Sequence, residues 1–308
     1  MRTHEIADRL ALERELERAW IFHSRRLKHP VPPGYLTDRV VFSQDPPVRL
    51  VECLECGHVY RNPRESAVAL HSIYVNDSSD SELYESLFEH QHGFFRHRTR
   101  TIRKLIGGVN RGLEIGSYVG GFLAAARDEG MVFTGLDVNE QVVDFCNRKG
   151  LSAALGSLDE QTDFGEYDAV AIWNTFEQLA DVRAAATAAR RLLRDGGCLA
   201  LRFPNASFYT RWRRKLDGLL GPVAERFLAH NNMLGFPYRQ GFTERSLRRL
   251  LSDARFEIRV VRGDMLVSVA DRWTSKTGAF DEWLTKTIQR FTERAWRAPW
   301  IEVYAVAL

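Results

Sequence analysis

Gly112-Leu-Glu-Ile-Gly-Ser-Tyr-Val-Gly-Gly121, with Asp137 following in Gly-Leu-Asp-Val, is the stretch of this chain whose residue types and spacing suit the holding of a ligand. Leu113 to Ile115 read as the end of a buried strand, Gly116 to Gly120 as a tight turn, and Phe122 to Asp128 as a helix packed back on the strand. Val132 to Asp137 then read as the next parallel strand, with a carboxylate at its carboxyl end. A βαβ unit of this kind leaves a crevice beyond its strand ends, and such a crevice holds an adenosine compound. The glycines narrow the choice. A dinucleotide fingerprint needs glycine at its first, third and sixth positions, the middle one letting the backbone approach a pyrophosphate. Here those positions are Gly116, Tyr118 and Gly121, so the middle glycine is missing, and the pattern is acidic-x-Gly-x-x-x-Gly on Glu114, Gly116 and Gly120.

The elements that must position this turn follow in order. From Arg111 the chain alternates as a doubly wound sheet does: strand to Ile115, helix, strand to Asp137, helix Glu140 to Lys149, and a short strand Ser152 to Leu155. Tyr167 to Trp173 reads as a fourth strand, Val182 to Leu193 as a helix, and Gly197 to Phe203 as a fifth strand after an Asp-Gly-Gly turn. Pro204 lacks an amide donor and closes that strand. A helix from Thr243 to Ala254 and two late strands, Phe256 to Val261 and Ile301 to Ala307, complete the α/β core. Upstream, Ile6, Leu10, Leu16, Trp20 and Leu27 recur at helical spacing among charges, and Pro30, Pro32 and Pro33 end that amphipathic helix. Arg39–Phe42, Arg49–Glu52 and His58–Tyr60 read as a small antiparallel appendage, followed by a helical region from Glu82 to Ile106.

The chain has 308 residues, 44% of them hydrophobic, which is enough for one substantial core and an accessory region. A net charge of +3 spread over this length does not imply nucleic-acid binding. Four cysteines make no disulfide framework, the start lacks an apolar signal core, and no apolar run approaches a membrane span. A cytoplasmic protein is expected.

The glycine pattern resembles motif I of the class I S-adenosylmethionine-dependent methyltransferases. From about Gly112 to Glu257 further positions of that pattern recur in order: Tyr167-Asp168, Trp173-Asn-Thr-Phe-Glu-Gln-Leu179, Leu192-Leu-Arg-Asp-Gly-Gly197 and Phe242-Thr-Glu244. The resemblance implies an α/β, doubly wound, mostly parallel seven-stranded sheet of the Rossmann-like methyltransferase fold, with a small N-terminal helix and hairpin appendage. It divides the chain into an appendage over 1–80 and a methyltransferase domain over 81–308, with insertions at about 205–240 and 270–298. It also implies S-adenosyl-L-methionine as cofactor. Gly116 and Gly120 then admit the methionine part, with Ser117 and Tyr118 in the same turn. Glu114 helps hold the amino group, and Asp137, followed by Val138, accepts hydrogen bonds from both ribose hydroxyls. Ser157 and Leu158 lie where relatives place a loop against adenine, and Asn174 stands at its strand tip, where ligands of open α/β sheets gather. Gln178 replaces the histidine many relatives carry there, so no base role is transferred to it.

Methyl transfer is an in-line displacement whose activation is stored in the cofactor, so alignment and desolvation fall to the protein. A hydroxyl acceptor also needs a base, and His230, Tyr238 and Glu177 are the candidates. The insertions are expected to recognise the acceptor. Phe208 to Leu220 is either a lid over an anionic or aromatic acceptor or a solvated basic helix face. The Val51-Glu-Cys53-Leu-Glu-Cys56-Gly turn is similar to the second knuckle of a zinc ribbon that precedes some methyltransferases. A closed zinc site needs four ligands and the first Cys pair is absent, so a zinc-free hairpin is favoured over a site using Cys53 and Cys56. The leading expectation is methyl transfer to a small-molecule acceptor: a metabolite, a glycan precursor or a secondary metabolite. The alternatives are an RNA-modifying or nucleic-acid-binding protein of the same fold and a non-catalytic cofactor-binding subunit. The Asn/Asp-Pro-Pro-Tyr/Phe signature of base-modifying relatives is replaced here by Asn174-Thr-Phe-Glu177.

Overall fold

A computed structural model describes residues 38–44, 48–62, 74–75, 81–216, 239–264 and 295–308. The expected helix over residues 4–28, and residues 217–238 and 270–294 of the expected insertions, with His230 and Tyr238 among them, lie outside the described residues.

The large sheet is built from β4 (Gly112–Ile115), β5 (Phe133–Asp137), β6 (Ala153–Leu155), β7 (Tyr167–Trp173), β8 (Leu193–Pro204), β10 (Phe256–Asp264) and β11 (Trp300–Ala307). Its strand order is β10-β11-β8-β7-β4-β5-β6, with β4 to β8 parallel and β10 and β11 antiparallel. This is the seven-stranded, mostly parallel sheet expected from the sequence. β4 is where the winding reverses: the chain runs outward to β5 and β6, then returns to β7 on the other side. Ligands bind at such a switch point, beyond the carboxyl ends of the strands.

Helices cover both faces, which is why β7 reads as a nearly unbroken apolar run. On one side lie α1 (Ser81–Ile106), α2 (Gly121–Asp128) and α3 (Glu140–Arg148). Phe95 and Ile102 of α1 pack there with Phe122, Phe133 and Trp173. On the other lie α4 (Val182–Leu192) and α6 (Glu244–Asp253), whose Ala185, Ala189, Leu247 and Leu250 bury Val170, Ile172, Leu199 and Leu201; α5 (Ala206–Leu216) follows β8. Three of these helices start where a side chain takes up their orphan amides: Asn139 for α3, Asp181 for α4 and Thr243 for α6.

One boundary differs from the sequence reading. The Asp195-Gly-Gly turn lies inside β8 rather than before it: Tyr167 pairs with Leu193 and Ala169 with Cys198, and the intervening residues bulge out of the ladder. Gly196, at φ 76°, permits that excursion.

The appendage is also larger than its own segment provides. β1 (Asp38–Gln44), β2 (Val48–Cys53) and β3 (Val59–Asn62) form an antiparallel meander, and β9 (Gln240–Gly241), from the end of the expected 205–240 insertion, adds a fourth strand to β3. His58 Nε2 meets Gln240 Oε1 at 3.2 Å, and the Arg239 amide donates to the Glu177 carbonyl at 3.4 Å. The small sheet therefore abuts the loop that follows β7.

Candidate functional site

β4 delivers Glu114 and then turns sharply. Gly116 (φ 70°), Tyr118 (φ 44°) and Gly120 (φ 75°) all take the left-handed conformation, and the Gly116 and Ser117 amides donate to the Leu136 carbonyl at 2.8 and 3.1 Å. These bonds fasten the turn to the end of β5. There the Asp137 carboxylate accepts from the Tyr118 amide through Oδ2 and from the Asn139 amide through Oδ1, each at 3.0 Å. Burial raises the Asp137 carboxyl above its ordinary range, while these amides pull it back down. Asp137 and Val138 are half-buried. Each carboxylate oxygen keeps a second lone pair, so the group is able to accept from a vicinal diol.

The loop after β6 reaches the same place. The Gly156 amide donates to the Asp137 carbonyl at 2.9 Å, and Ser157 opens a short 3-10 helix (Leu158–Glu160), its amide bonded to Glu160 Oε2 at 2.7 Å. The structure thus gathers Asp137, Val138, Ser157 and Leu158 beside the glycine turn. Tyr118 joins them, its ring edge-on to Tyr84 of α1 with centroids 6.0 Å apart.

The space a Cβ would fill is taken by Thr175 at Gly116, and by Leu151 and Cys146, at 2.7 and 2.9 Å, at Gly120. Packing within the protein already demands both glycines. Ser117 is buried with its side chain against Gly135, where a Cβ would come within 2.6 Å of it.

Glu114 is 2% exposed, and its Oε2 makes no hydrogen bond to a described residue. Burial, and next the neighbouring Asp137 charge, push its carboxyl well above the ordinary range. A buried acid with bonding capacity left over is suited to a donor such as an ammonium group arriving in the crevice.

At the end of β7, Asn174 is left-handed (φ 54°), its amide donating to the Arg202 carbonyl at 2.9 Å and its Oδ1 accepting from Arg202 Nη1. Gln178 Nε2 donates to the Asn174 carbonyl. Glu177 is fully buried with neither carboxyl oxygen bonded to a described residue, and burial pushes its carboxyl up to about 8. Of the three candidate bases it alone falls among the described residues.

Several residues at this end of the sheet were not found from the sequence. Tyr74 accepts from Asn139 Nδ2 through its carbonyl at 3.0 Å and donates from its phenol to Gln178 Oε1. Arg202 shares the Asp264 carboxylate with Arg98 of α1, and Arg98 also pairs with Glu302. The available signal was an arginine in an otherwise apolar strand, Leu201-Arg202-Phe203, which demands buried acids elsewhere.

Among the described residues no group of three or more His, Cys, Asp or Glu side chains is placed to hold a metal ion. Cys53 and Cys56 are buried and reduced, and the hydrogen bond to Cys56, with burial, raises the Cys53 thiol far above its usual range. A hollow of about 680 Å³ lined by Phe164, Arg190, Arg194 and Asp253 lies at the opposite, amino ends of the strands. It shares no residue with the crevice. No described helix is long and apolar enough to cross a membrane.

A methyltransferase domain family model matches residues 87–261. No curated protein matches the sequence. Among solved structures, the chain is similar to a SAM-dependent methyltransferase, possible histamine N-methyltransferase, from Thermotoga maritima, at 16% identity and TM-score 0.51, covering 78% of this chain and 100% of that one. A SAM-dependent methyltransferase from Archaeoglobus fulgidus aligns at 16% identity and TM-score 0.47, over 78% and 100% of the two chains. Geranyl diphosphate C-methyltransferase from Streptomyces coelicolor aligns at 16% identity and TM-score 0.49, over 77% and 86%. The family match spans more than half of the chain and contains β4, its glycine turn, Asp137 and the end of β7: the chain belongs to the methyltransferase domain family and is an S-adenosylmethionine-dependent methyltransferase.

Proposed function

We propose that this enzyme methylates a small-molecule acceptor, a metabolite, glycan precursor or secondary metabolite, at the carboxyl end of β7. The observation that carries the reading is the position of Asp137, half-buried and bonded to the Tyr118 and Asn139 amides beside the glycine turn. S-adenosylmethionine, when bound, supplies a methyl group already activated for displacement. The remaining work belongs to this chain. Asp137 grips the sugar hydroxyls, Ser157 and Leu158 border the base, and Glu114, unsatisfied and buried, meets the amino group. Asn174, its Oδ1 occupied by Arg202, offers its Nδ2 donors to an acceptor oxygen. For a hydroxyl acceptor, Glu177 takes the proton; with its carboxyl near 8, both protonation states are populated close to neutrality. His230 and Tyr238 stay as candidates for the same step. The Cys53–Cys56 turn is read as a zinc-free hairpin.

Two measurements test the reading. Calorimetry with S-adenosylhomocysteine is expected to show binding, and incubation with S-adenosylmethionine and panels of hydroxyl, amine and carbon acceptors is expected to release S-adenosylhomocysteine. Absence of binding by the folded chain, together with unaltered behaviour of Asp137→Ala, would overturn the cofactor assignment. Turnover confined to RNA substrates would overturn the small-molecule assignment.

A further inference from the structure

Tyr74 bridges two strands of the large sheet that are not neighbours. Asn139, which donates to its carbonyl, lies just past the end of β5; Gln178, which accepts from its phenol, closes the short 3-10 helix (Phe176–Gln178) beyond β7. β4 runs between β5 and β7. One residue therefore crosses in front of the carboxyl end of β4, where the glycine turn begins. Two strands separated by a third lie about 10 Å apart, a span that a tyrosine and two amide side chains cover.

Both anchors have their orientation fixed. Asn139 Oδ1 accepts from the Gln141 and Val142 amides at 3.0 and 3.3 Å as the cap of α3, so its Nδ2 is the end directed to Tyr74. Gln178 Nε2 is committed to the Asn174 carbonyl, which leaves Oε1 to meet the phenol. The bridge thus links the cap behind Asp137 to the strand tip that holds Asn174.

Resting on the cofactor reading above, we propose that Tyr74 is a positioning residue that straps the methionyl arm of S-adenosylmethionine into the crevice. The strand order gives the direction. Asp137 at the end of β5 holds the sugar, and the Gly156–Leu158 loop on the β6 side borders the base. The amino-acid arm then runs the other way, across the turn after β4 toward β7, along the path that Tyr74 crosses. The bridge holds that arm down without touching the nucleoside.

The experiment compares S-adenosylhomocysteine and adenosine as ligands of the full chain, by calorimetry and competition, for the wild type, Tyr74→Phe, Gln178→Leu and the double variant. Tyr74→Phe is expected to weaken S-adenosylhomocysteine about fivefold to tenfold, the worth of one hydrogen bond, and to leave adenosine unchanged. Gln178→Leu, which also removes the bond to the Asn174 carbonyl, is expected to lose at least as much, and the double variant to be no weaker than Gln178→Leu alone, because both substitutions remove the Tyr74–Gln178 bond. Unchanged S-adenosylhomocysteine affinity in Tyr74→Phe, equal losses for both ligands, or additive losses in the double variant would each overturn the strap. A wild-type chain that binds neither ligand overturns the cofactor reading instead.

Discussion

The Tyr118 amide donates to Asp137 Oδ2 across 3.0 Å, so the glycine turn after β4 and the carboxylate ending β5 form one unit. The left-handed backbone of Tyr118 aims that amide at the strand end.

Removing the carboxylate should therefore cost both the ligand and the turn. Asp137→Ala is expected to weaken S-adenosylhomocysteine about a hundredfold or more, from two lost charge-assisted hydrogen bonds. Asp137→Asn should lose nearly as much, because its NH2 end must face either an amide donor or a ligand hydroxyl donor. Titration calorimetry on the three proteins decides this; an Asn variant binding like the wild type would refute the diol-acceptor role.

Gly116 and Gly130 share a left-handed backbone, φ 70° and 71°, but differ in surroundings: a Cβ at Gly116 overlaps Thr175, and one at Gly130 meets nothing within 4 Å. Gly130→Ala should cost about 1–2 kcal/mol from conformation alone. Gly116→Ala should cost more, about 3 kcal/mol or above, as overpacking adds to the backbone penalty. Urea unfolding of both variants ranks them; equal losses would show that the Thr175 contact yields freely.

Glu177 predicts a pH dependence. Unfolded, its carboxyl titrates near 4.5; folded, near 8. Between those values the folded chain holds a proton that the unfolded chain releases, so this group's contribution to stability falls as pH rises from about 4.5 through 8. Each unit of separation is worth about 1.4 kcal/mol. In Glu177→Gln that part of the slope should vanish, and the variant should gain on the wild type as the pH approaches 8. Thermal unfolding across pH 5 to 9 checks the sign. Loss in this variant of any rise in kcat through pH 8 would mark Glu177 as the base.

Arg202 is 1% exposed, paired with Asp264, bonded to Asn174 and stacked 4.3 Å from the Trp300 ring. Arg202→Met should destabilise by about 3–5 kcal/mol, because Asp264 and Arg98 lose the balance of a buried cluster. Asp264→Asn should cost a comparable amount. The double variant should cost less than the sum, which a double-mutant cycle measures; strict additivity would show that the two act separately.

Much of the fold was legible in the residues. Tyr167–Trp173, buried on both sides of the sheet, has the same bounds in sequence and structure, and α3 and α4 begin at the Asn139 and Asp181 caps with their apolar positions at helical spacing. Asp137 was legible too, because a strand of fixed length places its last residue at the crevice. The bulge within β8 was not, since a glycine turn reads the same inside a ladder as before it. Nor was the addition of β9 to the hairpin, a pairing between segments far apart in the chain.

The sequence by itself determined the order of strands and helices, the turn with its left-handed glycines, and the acid at the end of β5, because each depends on local backbone preference and on periodic burial. Tertiary structure alone decided which side chains meet: Thr175 over Gly116, Arg202 with Asp264 and Asn174, Tyr74 between Asn139 and Gln178. Such contacts join segments whose spacing along the chain carries no trace of their distance in space. Packing density and the pairing of buried charge select them only once the sheet has assembled.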